Sequence, residues 1–199
     1  MSATGLPSGW HGRPSYSGMP NRDNIFLIGL MGAGKSTVGR QLARQLGKSF
    51  EDTDTLLETR TGVSISLIFD IEGESGFRQW ETKVLAGLCD KHHQVIATGG
   101  GIVLMSQNRD LMQQSGAVVY LHAAPSLLHE RTRHDRNRPL LQVEDRLARL
   151  SELYGERDPL YRATAHCVVD SGPVARTCHR VQEALATTCQ TAVSITNYA

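Results

Sequence analysis

The chain has 199 residues, 40% of them apolar and 21% charged, which is enough for one well-buried core and too few for two ordinary domains. Twenty-one Lys and Arg against twenty Asp and Glu leave a formal charge of +1, so no global field exists for gripping nucleic acid or a membrane surface. Any anion recognition has to be local, and the four cysteines, Cys89, Cys167, Cys178 and Cys189, form no CxxC pair that would indicate a disulfide scaffold or a zinc site.

Residues 1–23 are rich in Gly, Ser and Pro and hold no apolar stretch fit for a signal peptide or a membrane span, so they read as a disordered leader. The absence of any apolar 18-mer elsewhere predicts a soluble, cytoplasmic protein. Asn24 to Gly29 is a short apolar run without helical period, as expected of a strand covered on both faces of a parallel sheet. From Lys35 the period changes, with Val38, Leu42 and Leu46 at helical spacing until Gly47.

Ser49 to Asp52 reads as a second strand, and a helix through Leu56 and Leu57 stops at Gly62. Two helices are predicted next, over Ser64 to Ile71 and Phe77 to Leu88. Val95 to Ala97, Ala117 to Leu121 and Cys167 to Val169 complete five strands. Helices are expected over Asn108 to Gln114, from Pro125, from about Val143, and over Val174 to Ala186. Strands alternating with helices predict an α/β sandwich with a mostly parallel sheet, in one domain over 24–188 followed by a flexible tail at 189–199.

Gly29-Leu-Met-Gly-Ala-Gly-Lys-Ser-Thr37 matches GxxxxGK[ST] in full between a predicted strand and a predicted helix. Glycines let consecutive amides turn towards phosphate oxygens, the helix N-terminus adds a favourable field, and Lys35 can reach the β and γ phosphates. Gly32, Ala33, Gly34, Lys35, Ser36 and Thr37 are therefore nucleotide-binding candidates, with the Ser36 hydroxyl placed for Mg2+. A small GTPase would share this loop, but no NKxD-like guanine-recognition segment follows.

Asp52-Thr-Asp54 directs both carboxylates to one side if the second strand persists, and a short turn there would still keep them close, one for Mg2+ and one for an acceptor hydroxyl; helix capping is the plainer alternative. Arg78 and Glu81 lie one helical turn apart, so Glu81 can hold a guanidinium that would fork onto a substrate carboxylate, or the two form only a surface ion pair. Gly99 to Gly101 after the third strand would let a ligand approach the backbone closely. Arg131, Arg133, Arg136 and Arg138 fall in a polar stretch suited to a lid, about 131–143, that brings positive charge over a transferring phosphate. Arg157 adds an arginine near a helix end.

In order, GLMGAGKST, DTD, FRxxE (Phe77 to Glu81), GGG, RPLL (Arg138 to Leu141) and RDPLY (Arg157 to Tyr161) closely resemble shikimate kinase, within the nucleoside monophosphate kinase-like group, from about Asn24 to Asp170. The resemblance implies a five-stranded parallel sheet in order 2-3-1-4-5, a substrate-binding helical region at about 53–90 and a closing lid. It implies transfer of the ATP γ-phosphoryl group to the 3-hydroxyl of shikimate, in chorismate and aromatic amino acid biosynthesis, by a monomer using Mg2+. Lys35, Asp54 and Arg138 take catalytic roles, and Asp52 stands near Mg2+. Arg78 and Arg157 clamp the substrate carboxylate, Gly100 and Gly101 form a backbone wall, Arg131 stacks beside adenine and Arg138 reaches the phosphates. The loop after Asp170 resembles the adenine-side loop. A gluconate kinase-like enzyme and a noncatalytic nucleotide-binding regulator are the alternatives.

Overall fold

The computed structural model describes residues 23–133, 135 and 139–196, with backbone alone at 139 and 189–196. Residues 1–22 of the expected leader, the lid arginines Arg136 and Arg138, and residues 197–199 of the expected tail lie outside the described residues.

Five strands form one sheet: β1 (Asn24–Ile28), β2 (Ser49–Asp52), β3 (Gln94–Ala97), β4 (Gly116–His122) and β5 (Cys167–Asp170). Their order is β2-β3-β1-β4-β5, as the resemblance implies, and every pairing is parallel, as the strand and helix alternation predicts. All five residues of β1 are buried, which explains why this run shows no alternation: helices cover both faces of the central strand. Ile25 pairs with Val95 on one side and Ala117 on the other. The strand order reverses beside β1, so the loops leaving the C-terminal strand ends open a crevice there.

Seven helices are described: α1 (Lys35–Leu46), α2 (Thr53–Thr61), α3 (Ile65–Cys89), α4 (Ser106–Ser115), α5 (Pro125–Thr132), α6 (Arg146–Thr164) and α7 (Val174–Thr196). The two helices expected between Ser64 and Leu88 are one element with a kink, because Gly73 alone leaves helical geometry at φ 68° and ψ −176°. The helix expected from about Val143 begins at Arg146, where the Asp145 carboxylate caps the Ala148 amide at 2.9 Å. α7 runs past the expected Ala186 boundary to Thr196. Periodicity misses the single 3-10 turns at Ile102–Leu104 and Pro139–Leu141, which are too short to show a period.

Asp23, counted with the leader in the sequence reading, is tied down at the N-terminal ends of β1, β2 and β3, opposite the crevice. Lys48 Nζ donates to its carboxylate at 2.9 Å, and the His93 amide donates at 2.8 Å. The His93 ring faces the same carboxylate at 2.6 Å and the Gly47 carbonyl at 3.1 Å. Burial opposes ionisation of Asp23, but the His93 and Lys48 hydrogen bonds overcome it and hold the carboxyl well below the usual range. A lowered folded pKa means the contribution is complete above the unfolded value near 3.8 and is lost as pH falls below it. Asp23→Asn is therefore expected to lower the melting temperature at both pH 7 and pH 3 but by less at pH 3, because the contribution shrinks as pH falls below the unfolded value. Equal losses at both pH values would count against the ionic account.

Candidate active site

The crevice is a cavity of about 1060 Å3 bounded by the loops that follow β1, β2, β3 and β5, and it runs without a break from the glycine-rich loop to Arg157. Gly32, Gly34, Lys35, Ser36 and Thr37 line one end. Gly34 adopts φ 89° and ψ 15°, a left-handed conformation open to glycine at little cost, and starts α1 with no side-chain cap. Uncapped amides at a helix start suit an anion. Lys35, nearly buried, donates from Nζ to the Gly29 and Leu30 carbonyls at 2.7 and 2.9 Å, so its ammonium is held over the loop.

At Asp52 the second strand ends and α2 begins, so the two carboxylates share the cavity through a turn and not through strand alternation. Asp52 is the N-cap of α2: Oδ1 accepts from the Asp54 and Thr55 amides at 3.1 and 3.3 Å, while Oδ2 accepts from Ser36 Oγ at 2.6 Å. Capping and cavity roles thus coexist in one side chain. Asp54, in the first turn of α2, also lines the cavity. The Ser36 hydroxyl and Asp52 carboxylate are hard oxygen donors side by side, which fits Mg2+, an ion that keeps several waters and takes few protein ligands.

The far end holds the two arginines. Arg78 on α3 is 6% exposed and donates from Nη1 to Glu81 Oε2 at 2.5 Å and from Nη2 to Glu74 Oε1 at 2.7 Å. The pair with Glu81 is buried, which overturns the surface ion-pair alternative. Burial pushes the Glu81 carboxyl up to about 7 against the pull of Arg78, with Asp54 adding to the rise. Arg157 on α6 is 3% exposed and donates to the Gly100 carbonyl at 3.3 Å. One turn on, the buried Tyr161 hydroxyl donates to the same carbonyl. Burial raises the Tyr161 pKa, keeping it a neutral donor.

Gly99 to Gly101 pass between these groups. A Cβ on Gly101 would collide with the Arg78 guanidinium, and one on Gly99 would collide with Glu81 Oε1. Gly101→Ala is expected to raise the acceptor KM by about tenfold or more, since overpacking costs about 1–3 kcal/mol and here displaces the guanidinium. Steady-state kinetics would check this; an acceptor KM within twofold of wild type would show that the triple glycine is only a turn.

The family model described as Shikimate kinase matches residues 31–189. The chain belongs to the shikimate kinase family. A shikimate kinase of Dechloromonas aromatica (strain RCB) is 59% identical over 150 residues, covering 75% of this chain and 82% of the relative. One of Halorhodospira halophila (strain DSM 244 / SL1) is 55% identical over 163 residues, covering 81% and 92%. The solved shikimate kinase from Acinetobacter baumannii in complex with shikimate superposes with a TM-score of 0.81 at 42% identity, covering 86% of this chain and 97% of that one. A gluconokinase from Sinorhizobium meliloti 1021 has a TM-score of 0.53 at 21% identity, a likeness that shows the fold alone.

Around the cavity of this family member the fold gathers Gly32, Gly34, Lys35, Ser36, Thr37, Asp52, Asp54, Arg78, Gly100, Gly101, Arg131 and Arg157. Ala33 is buried behind the loop and presents its carbonyl to Ser171. Arg131 donates to the Gly32 carbonyl at 3.2 Å and to Ser171 Oγ at 2.8 Å. Sequence reasoning missed two supports of the glycine wall. Thr53 Oγ1 accepts from the Gly99 amide at 2.9 Å, and Tyr161 holds the Gly100 carbonyl. The middle residue of DTD and the last of RDPLY were signals already in view for them.

Proposed function

We propose that this chain transfers the γ-phosphoryl group of ATP to the 3-hydroxyl of shikimate, giving shikimate 3-phosphate and ADP, on the route to chorismate and the aromatic amino acids. The carrying observation is that Arg78 and Arg157, from two helices, line one cavity with Asp54 beside the phosphate loop, and each keeps a buried Nε without a hydrogen-bond partner. Two buried guanidinium groups lining one cavity favour a bound carboxylate.

In this reading the glycine-rich loop and the start of α1 hold the β and γ phosphates, and Lys35 offsets charge that spreads over the transferring group. Ser36 and Asp52 would hold Mg2+, which supplies charge neutralisation of the phosphates when bound. Arg78 and Arg157 anchor the acceptor by its carboxylate, and the Gly100–Gly101 backbone forms the wall beside it. That leaves the acceptor hydroxyl to Asp54, which orients it towards the γ phosphorus and takes up its proton. Because such transition states are loose, orientation is the larger part of this role. Arg138 and the segment at about 131–143 complete the charge and exclude water, as the resemblance implies.

The organisation proposed is one catalytic domain over 24–188 acting as a cytoplasmic monomer. Among the described residues no helix is long and apolar enough to cross a membrane. ADP release with Mg2+ and ATP should depend on shikimate, and mass spectrometry should find shikimate 3-phosphate in equal amount. Release with gluconate instead, or none despite nucleotide binding, would redirect the reading to another acceptor or to a noncatalytic role.

A further inference from the structure

Ser171 follows β5 and is held there by its amide, which donates to the His122 carbonyl at 2.7 Å. Its hydroxyl connects three elements. Oγ donates to the Ala33 carbonyl at 2.7 Å and accepts from Arg131 Nη1 at 2.8 Å, and the same Nη1 donates to the Gly32 carbonyl at 3.2 Å. Two successive carbonyls of the glycine-rich loop are therefore capped from the side of β5 and α5. Nothing in the GxxxxGK[ST] pattern supplies these donors, since residue 171 lies 138 positions from Ala33.

We propose that the Ser171 hydroxyl is a positioning residue for the nucleotide, acting by locking the Ala33–Gly34 peptide of the phosphate loop. A peptide unit is planar and trans, so its carbonyl and its N–H point in opposite directions. With the Ala33 carbonyl bound to Ser171, the Gly34 N–H is turned away from Ser171. Gly34 sits at φ 89° and, having no Cβ, carries little torsional restraint of its own. Without the serine the Ala33–Gly34 peptide can rotate, and an amide aimed at phosphate has to be ordered anew on each binding event. The same hydroxyl seats Arg131, which lines the cavity with Gly32, Gly34 and Ser171. Loss of the hydroxyl frees both the peptide and the guanidinium.

The proposal rests only on the nucleotide half of the functional reading, so it is tested by Mg·ADP binding to the full chain by calorimetry, which needs no acceptor. Steady-state kinetics with ATP and shikimate follow. Removing the two hydrogen bonds of the hydroxyl should raise the ADP dissociation constant of Ser171→Ala by about tenfold. The ATP KM should rise by a similar factor, with the shikimate KM within about twofold of wild type. Ser171→Thr, which keeps the hydroxyl, should restore ADP affinity to within about threefold of wild type. An unchanged ADP affinity in Ser171→Ala would overturn the proposal, as would Ser171→Thr failing as badly as the alanine variant, or ATP and shikimate KM rising together. A thermal melt of each variant separates these outcomes from unfolding. Weakened ADP binding in a protein that phosphorylates no shikimate would refute the acceptor assignment and leave the role of Ser171 standing.

Discussion

Lys35→Ala should lower kcat by about 10²–10³-fold, the loss typical of one preorganised group that stabilises transition-state charge. The ammonium is nearly buried and is already held by the Gly29 and Leu30 carbonyls, so it is positioned before nucleotide arrives and its charge acts where water is scarce. Nucleotide affinity should fall as well, because the same charge meets the ground-state phosphates, while the shikimate KM should stay within a few-fold. Lys35→Arg should not rescue, since a planar fork does not replace a compact ammonium in a closed loop. Kinetics with both substrates varied would check this. A kcat within tenfold of wild type would mean that the loop backbone alone carries the phosphate.

Arg78→Met is expected to raise the shikimate KM by about 10²-fold, the value of one or two charge-assisted hydrogen bonds at about 1.5–3 kcal/mol each. It should also destabilise the fold, because Glu81 is 1% exposed and loses the cation that neutralises it. Stranding such a charge costs about 3–5 kcal/mol, and the low end applies here. Glu81 is already raised to about 7 by burial and can take a proton instead of remaining charged. The pH dependence follows in sign. A carboxyl raised in the folded state holds a proton that the unfolded chain releases above about 4.5, so stability falls as pH rises through that range and beyond. Arg78→Met should therefore lose more of its melting temperature at pH 8 than at pH 6. Adding Glu81→Gln should remove that slope and recover stability without recovering shikimate affinity. Recovery of both, or of neither, would deny that Arg78 plays separate structural and binding parts.

These two residues differ in how far the sequence alone could take them. Lys35 is defined by its neighbours in the chain: strand, glycine turn and helix are local, and the β1–loop–α1 unit forms where the patterns place it. Arg78 was legible as a residue one turn from Glu81, but the choice between a surface pair and a buried one depends on what packs over the helix. Gly101, more than twenty residues away, packs against that guanidinium with no room for a side chain. Asp52 shows the same limit in reverse. Alternation assumed that the strand continued, whereas the carboxylate captures the first amides of α2 and ends the strand at that residue, leaving one oxygen for Ser36.

By itself, then, the sequence determined the strand and helix succession, the phosphate loop and the family. Those features are written in periods and motifs, short-range patterns that hydrophobic burial and glycine's backbone freedom translate directly into structure. Tertiary structure decided which distant groups complete the site, Tyr161 on the Gly100 carbonyl, Thr53 on the Gly99 amide and Ser171 on the Ala33 carbonyl, and which tie the far end of the sheet, Asp23 with Lys48 and His93. Each of these joins polar groups of segments far apart in the chain. Such contacts have no period and no spacing rule: a parallel sheet gathers the C-terminal ends of its strands on one side, where the site forms, and their N-terminal ends on the other, where Asp23, Lys48 and His93 meet.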